Sequence, residues 1–533
     1  MHMYCYQCQE TGEKTGCRYH GACGKTDETA NLQDLLIHVL KGIAVCAEAA
    51  PPGRPVDRDA GLCIARSLYA TITNTNFDPD RFVTMIREGL QIRNRLRDRH
   101  RPSLPPALHD MVTWDETDVW RLRQKSMTVD IRNTPSEDVR SLRELTTYAL
   151  KGISAYVVHA AVNDFYDDTL LGAVIRLLAA IAREEDESAL GDLAIEAGRV
   201  MIDAMALLDR ANTAVYGQPE AVPVPLGTRT RPGILVTGHD LKDLVELLEQ
   251  TAGTGLDVYT HSEMWAAHYY PALRRHAHLV GNYGNAWWMQ DFEFASFNGP
   301  ILVTSNCIVP VQDAYRHRIF TTGAAGYPGI PHIPDAPAGQ AKDFGALIRL
   351  AHGCPPPQPI EQGSVVGGFT HGFVSAHLDG VLNAVRTGKI RRFVVMGGCD
   401  GRDPRRQYFT DLARSLPPEA VILTAGCAKY RYIKLPLGDI DGLPRVLDAG
   451  QCNDCYSLVR IALALQAALG IDDVNDLPID FELAWYDQKA IGIILSLLKL
   501  GFRKVRMGPT LPLFLQTGAG RRFMDRYGLG CTC

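Results

Sequence analysis

At 533 residues the chain is too long for a single hydrophobic core, and its length points to about three domains. Apolar content of 46%, charged content of 22% and a net charge of −5 are ordinary for a soluble globular enzyme, and they give no reason to expect nucleic acid or a membrane as partner. No signal peptide and no uncharged apolar stretch near 18 residues is evident. Fourteen cysteines in so large a chain read as reduced thiols serving as ligands, so a cytoplasmic protein is expected.

The first element is a polar loop carrying Cys5, Cys8, Cys17 and Cys23 in the pattern C-x2-C-x8-C-x5-C. Four thiolates in under twenty residues can surround one centre. The spacing leaves an iron–sulfur cluster, a structural zinc and a pair of disulfide loops open. Asp27 stands where a Cys3His finger would need its histidine, and the common ferredoxin spacings do not match either.

From there to about residue 215 the pattern is helical. Asp34–Cys46, Ser141–Ala161, Thr169–Ile181 and Leu190–Leu208 all repeat apolar residues at i, i+3 and i+4. The Pro-rich stretch 101–106 predicts a division into two helical bundles. Residues 217–225, with three prolines, read as an extended linker.

Short strands then alternate with helices, which predicts βαβ units and mainly parallel sheets. A Pro-rich break at 354–360 divides this half, so the expected domains are 1–216, 217–358 and 359–533, each with its own core. Five times a buried-type strand runs into Gly, Ser or Asn and then a metal-capable residue: His239, Glu263, Cys307, Cys399 and Cys427. Ligands in open α/β sheets bind beyond the carboxyl ends of strands, so such residues converge. Cys452, in Gly450-Gln-Cys-Asn-Asp-Cys455, adds another thiol, and Trp485-Tyr-Asp487-Gln-Lys489 precedes an apolar helix over 491–500. Singly, each has a plainer role: a buried Cys as a small hydrophobe, His239 or Asp487 as a helix cap. Together they point to a metal site of mixed soft and hard ligands.

These residues resemble the hybrid cluster proteins, also called prismane proteins or hydroxylamine reductases, over essentially the whole chain. The resemblance rests on Cys5-Tyr-Gln-Cys8, Thr237-Gly-His-Asp-Leu241, His261-Ser-Glu-Met264 and Ser305-Asn-Cys-Ile-Val-Pro310. It rests equally on Gly397-Gly-Cys-Asp-Gly401, Ala425–Arg431, Asp448–Asp454 and Trp485–Ala490. It implies a multidomain fold, an N-terminal all-α domain followed by two Rossmann-like α/β domains, related in architecture to carbon monoxide dehydrogenases. Cys5, Cys8, Cys17 and Cys23 would hold a cubane [4Fe-4S] cluster. His239, Glu263, Cys307, Cys399, Cys427, Cys452 and Asp487 would hold a hybrid [4Fe-2O-2S] cluster at the interface of the domains. Cys399 matches a position that carries a persulfide in oxidised members. Asp487 stands where the family has Glu; one methylene shorter, it must be met by a shifted helix or leave an iron site open. Cys455 stands where relatives have Ser or Thr, and reads as a packing substitute. Cys46, Cys63 and Cys354 take packing or loop roles, and Cys531-Thr-Cys533 reads as a mobile terminus.

The implied activity is reduction of hydroxylamine to ammonia and water, or of NO to nitrous oxide, with electrons from an external donor protein. Catalytic roles would fall to Cys399, Glu263 and Lys489, the last positioning substrate or donating a proton, unless it is a surface cation near a helix start. No G-x-G-x-x-G follows a strand, so no nicotinamide or flavin cofactor is expected. Two other readings remain: an NO-responsive redox or trans-nitrosylating protein, and a carbon monoxide dehydrogenase-like enzyme.

Overall fold

The computed structural model describes residues 3–11, 15–51, 53–337 and 339–532. Six long helices open the chain: α1 (Asp27–Glu48), α2 (Arg58–Ala70), α3 (Pro79–Arg99), α4 (Glu137–Ala161), α5 (Asp168–Arg183) and α6 (Glu187–Tyr216). Each starts on a side chain that accepts a backbone N–H of the first turn: Thr26, Asp57, Asp78, Ser136, Asp167 and Asp186. The chain does not divide into two bundles at 101–106. α1 packs on both α3 and α5, and α2 packs on α4, so helices from either side of the Pro-rich stretch interleave. α1 is long and apolar enough to cross a membrane by length and composition, but 67% of its most apolar window is buried inside the protein. It serves here as a core helix.

The expected linker is partly a strand. β1 (Val222–Pro225) pairs antiparallel with Ser364–Gly367, just beyond the second Pro-rich break, so the two junctions are tied to each other. Strands β2 (Gly233–Thr237), β3 (Asp257–His261), β4 (Leu279–Asn282), β5 (Ile301–Val303), β6 (Ile319–Thr322) and β7 (His332–Ile333) form a parallel sheet in the order 4-3-2-5-6-7. With β8 for Ser364–Gly367, the second sheet comprises β9 (Arg392–Val395), β10 (Ala420–Thr424), β11 (Val446–Asp448), β12 (Ile479–Ala484), β13 (Val505–Gly508) and β14 (Leu529–Cys531). Its order is 11-10-9-12-13-14. Both orders reduce to third-second-first-fourth-fifth-sixth, the doubly wound arrangement. The two α/β halves therefore share one topology, which the sequence does not display. The final strand also removes the mobile tail: Leu529–Cys531 pairs with Val505–Met507, and Cys531 is disulfide-bonded rather than a free thiol. Cys533 lies outside the described residues.

The cores are not separate either. The helices and the second sheet share one continuous apolar cluster, whereas the first sheet has clusters of its own. The helix Gln488–Lys499, which follows β12, makes the join. It runs between α4 and α6, buried from Gln488 to Leu498. Glycine permits this approach: a Cβ on Gly198 of α6 would lie 2.2 Å from the Leu495 carbonyl oxygen.

That contact yields a test. Gly198→Ala should cost about 1–3 kcal/mol through overpacking and lower the melting temperature. Gly191→Ala in the same helix meets nothing nearer than Phe523 at 3.8 Å. It should leave the melting temperature unchanged or raise it, since Ala exceeds Gly in helix propensity by about 1 kcal/mol. Equal melting temperatures for both variants would show that the helix insertion is not tight.

Candidate metal centres

In each sheet the chain's first strand lies centrally, with its second and fourth strands on either side, and the crevice opens between first and fourth. Those strands are β2 and β5 in one sheet and β9 and β12 in the other. His239 and Cys307 follow the first pair, Cys399 and Asp487 the second. Glu263, Cys427 and Cys452 follow β3, β10 and β11.

The backbone turns sharply where the strands end. Gly398 has φ +113, and a Cβ there would sit 2.1 Å from the Ala484 carbonyl oxygen. The glycine lets two strand ends touch, with Cys399 N–H donating to Ala484 O at 2.8 Å and Gly398 N–H to Ala425 O at 2.9 Å. Ser262 (φ 56) and Cys307 (φ 82) take the left-handed region without being glycine. Such backbone costs of order 1–3 kcal/mol per residue and persists where neighbours hold it. The Tyr430 hydroxyl donates to Ser262 O at 2.9 Å, and Cys307 N–H donates to Asn74 O at 2.7 Å.

All seven strand-end candidates point into one space. Donor atoms of His239, Glu263 and Cys452 lie within 4.8 Å of one another. His239 Nε2 is 3.3 Å from Cys452 Sγ and 3.7 Å from Glu263 Oε2. Glu263 Oε2 accepts the Cys452 N–H at 2.6 Å, while its Oε1 is buried with no partner. Cys427 Sγ is 3.1 Å from the Ser262 hydroxyl. Opposite, Asn306 Nδ2 is 3.3 Å from both Cys307 Sγ and Asp487 Oδ2. The Asp487 carboxylate also takes a hydrogen bond from Cys399. Asp487 does cap its helix, through Lys489 N–H to Oδ1 at 2.9 Å, but its second oxygen faces the thiols. His239 caps nothing; Asp240 caps the helix Leu241–Thr251.

Burial pushes the thiols of Cys307, Cys399, Cys427 and Cys452 well above the usual cysteine range, and neighbouring carboxylates add to it. Burial likewise raises Asp487 and drives His239 well below the ordinary imidazole value, with Lys489 and His159 assisting. Lys489 is not a surface cation. It is fully buried, with Nζ 3.1 Å from His239 Nε2. Burial disfavours its charge, but Cys452, Tyr69, Asp487 and Cys307 outweigh that and hold it protonated. An imidazole kept neutral, an orphaned carboxylate oxygen and a convergent set of thiols fit a cationic centre, whose binding would release the thiol protons. The His239 Nδ1 hydrogen bond to Ser305 Oγ at 2.8 Å leaves Nε2 for that centre. Cys455 sits beside this group, buried among Leu458, Val459 and Ala490.

The four N-terminal cysteines form a second group. Cys5 and Cys17 exchange backbone hydrogen bonds at 3.0 and 2.8 Å, Ala22 N–H donates to Cys17 Sγ at 3.4 Å, and Cys8 lies in the field of Cys23, Cys5 and Cys17. Residues 12–14 of the intervening loop lie outside the described residues. Four thiols gathered on one loop could surround either a single ion or a polynuclear cluster.

The two groups are joined by residues that carried no signal of their own in the sequence. Gln9 N–H donates to Tyr486 O at 3.1 Å, so two peptide links and one hydrogen bond separate Cys8 from Asp487. Arg406, fully buried, donates to Cys399 O at 3.0 Å, Trp485 O at 2.6 Å and Gln9 Oε1 at 3.1 Å. Gln488 Nε2 donates to Gln7 O at 2.5 Å. Tyr486 and Gln488 fall inside a quoted motif; Arg406 lies outside all of them.

Residues 3–530 match the Prismane/CO dehydrogenase family. The chain is 51% identical to a protein named hydroxylamine reductase from Desulfitobacterium hafniense, over 99% of this chain and 97% of that one. It is 50% identical to another so named from Nitratidesulfovibrio vulgaris, over the same shares. Among solved structures, a nickel-free carbon monoxide dehydrogenase from Thermococcus sp. AM4 superposes with a TM-score of 0.56 at 16% identity, covering 99% of this chain and 88% of that one. At that identity the likeness is one of fold.

The Ser305 hydroxyl gives this site its test. Ser305→Ala should weaken metal retention by about 10–100-fold, the range typical of an outer-shell partner of a ligating histidine. The measurement is the rate of metal loss to a chelator. An unchanged rate would exclude His239 as a ligand oriented by Ser305.

Proposed function

The chain belongs to the Prismane/CO dehydrogenase family, and from that premise we propose that it is an iron–sulfur reductase taking hydroxylamine, with two electrons and two protons, to ammonia and water. The observation that carries this reading is the convergence of His239, Glu263, Cys452 and the flanking thiols and carboxylate at the ends of two parallel sheets. Relatives about half identical over nearly their whole length are named for the same activity.

In this reading Cys5, Cys8, Cys17 and Cys23 hold a [4Fe-4S] cluster that receives electrons from an external donor protein. His239, Glu263, Cys307, Cys399, Cys427, Cys452 and Asp487 hold a hybrid iron–sulfur–oxygen cluster. When bound, that cluster supplies electrons and a Lewis-acidic iron able to polarise the N–O oxygen. The chain's own residues do the rest. Thiolates bind the softer part, and the harder donors His239, Glu263 and Asp487 bind irons that exchange oxygen ligands. Lys489 Nζ, buried at 3.1 Å from His239, keeps a proton within the site and is the group to pass it to a leaving oxygen or nitrogen. Both groups are buried, which limits the access of bulk water to them. The twelve free cysteines among the described residues suit a reducing compartment such as the cytoplasm.

Anaerobic metal and sulfide analysis, EPR and steady-state assay with a chemical reductant test the reading together. Expected are roughly four irons per centre, no nickel, and saturable hydroxylamine consumption. Stoichiometric bleaching without turnover would instead favour a redox sensor, and stoichiometric nickel a carbon monoxide dehydrogenase-like enzyme. Cys399→Ser should abolish turnover while the N-terminal cluster signal persists; full activity would reject the assignment. Asp487→Ala should lower turnover or iron content, and Asp487→Glu should be tolerated. Wild-type iron and rate in both Asp487 variants would remove it from the ligand set.

A further inference from the structure

Two lysines beside the N-terminal cysteines are not used by the proposed mechanism. Lys25 is 4% and Lys151 3% exposed. Among the described residues neither forms an ion pair with a carboxylate within 4.0 Å. Each ammonium instead donates to one neutral amide oxygen. Lys25 reaches Gln33 Oε1, and Lys151 reaches Gln7 Oε1 at 2.7 Å. Gln7 lies between Cys5 and Cys8, and its own Nε2 is taken by Thr71 O. Both lysines lie in the field of Cys5.

A buried ammonium without an anion costs several kcal/mol, and two near one another cost more. Ordinarily such groups would lose their protons. Burial does lower Lys151, with Lys25 assisting, but only to about 8, because Glu144, Cys5 and Asp34 oppose it. Asp34 and Glu144 line a cavity of about 630 Å³, and among the described residues neither pairs with either ammonium within 4.0 Å. Four thiolates in a cluster would bring further negative charge beside both ammoniums.

We propose that Lys25 and Lys151 are the counter-charges of the N-terminal iron–sulfur cluster and set its reduction potential, making it a ready acceptor for the external one-electron donor. This rests on the iron–sulfur reading given above. Reduction adds one electron and one unit of negative charge to the cluster and alters no bond. An ammonium held nearby stabilises the reduced state over the oxidised one. Being buried, it is screened little by salt.

The test is a redox titration of the holoprotein followed by EPR, comparing wild type with Lys151→Met, Lys151→Gln and Lys151→Arg. The neutral variants should make reduction of the N-terminal cluster at least about tenfold less favourable, a fall of about 59 mV for one electron. Signals of the other centre should hold their potentials, and Lys151→Arg should restore most of the shift. Lys25→Met should act in the same direction. An unchanged midpoint in variants that retain N-terminal iron overturns the inference and leaves the functional reading standing. Loss of that iron in both neutral variants and in Lys151→Arg would also overturn it, assigning Lys151 to holding the loop. Zinc in the wild-type N-terminal site would overturn both readings.

Discussion

Desolvation of the donor set is the constraint around which the molecule is arranged. Four thiols, two carboxylates and an imidazole are drawn from the ends of two sheets into one buried space, and burial pushes the thiols and Asp487 toward their protonated forms. Glu263 Oε1 is buried without a hydrogen bond of ordinary geometry, the Cys427 thiol lying beside that carboxylate. A buried unpaired polar group costs about 1–3 kcal/mol, and an unpaired charge far more. The strand ends also carry left-handed backbone at Ser262 and Cys307. A protein core does not collect such terms without a ligand to offset them. The tight apolar packing behind the site holds it against that expense, with Gln488–Lys499 wedged between two helices of the N-terminal region.

The same helix explains why the two groups of donors form one device. It is capped by Asp487, on the strand-end side, and its first residue, Gln488, also binds the backbone of Gln7 and Thr73. Arg406 gathers carbonyls from the Cys399 turn and the Trp485 turn and an amide oxygen from Gln9. Its two terminal nitrogens make all three of these bonds while its buried Nε has none, so the carbonyl-type oxygens they reach fix its position. A shift of the N-terminal loop would therefore be felt at the Cys399 turn. The short route from Cys8 through Gln9 and Tyr486 to Asp487 follows from this clamp.

Much of the site was legible in the sequence because strand ends advertise themselves. A β-branched run followed by glycine and then cysteine specifies both the element and the direction of the side chain, as at Val394–Cys399. Helices with a clear apolar stripe, such as α4 and α5, were readable for the same reason. What was hidden depends on long-range packing. α2 and α3 have caps and stripes but were passed over between richer motifs. Interleaving of helices across residues 101–106 is set by which stripes meet, not by the prolines between them. The shared core could not be read either, since Ile491–Leu498 looks alike whether it lies on its own sheet or inside a helical bundle. Arg406 is the clearest case: one arginine among many, distinguished only by three carbonyl-type oxygens brought from distant segments.

The division of labour between the sheets is itself informative. The first sheet contributes His239, Glu263 and Cys307, two hard donors and one thiol. The second contributes Cys399, Cys427, Cys452 and Asp487, three thiols and one carboxylate. Soft donors favour an iron–sulfur part and hard donors favour irons that exchange oxygen ligands, so polarity runs across the crevice rather than along it. Lys489 approaches from the second sheet but ends on His239 of the first, placing this buried ammonium on the hard-donor side. In the proposed reading, that is the side on which an N–O oxygen binds and leaves with a proton. Asp487 completes the hard side from across the crevice. Asn306, whose amide nitrogen is 3.3 Å from both the Asp487 carboxylate and the Cys307 sulfur, ties the two sheets' contributions together.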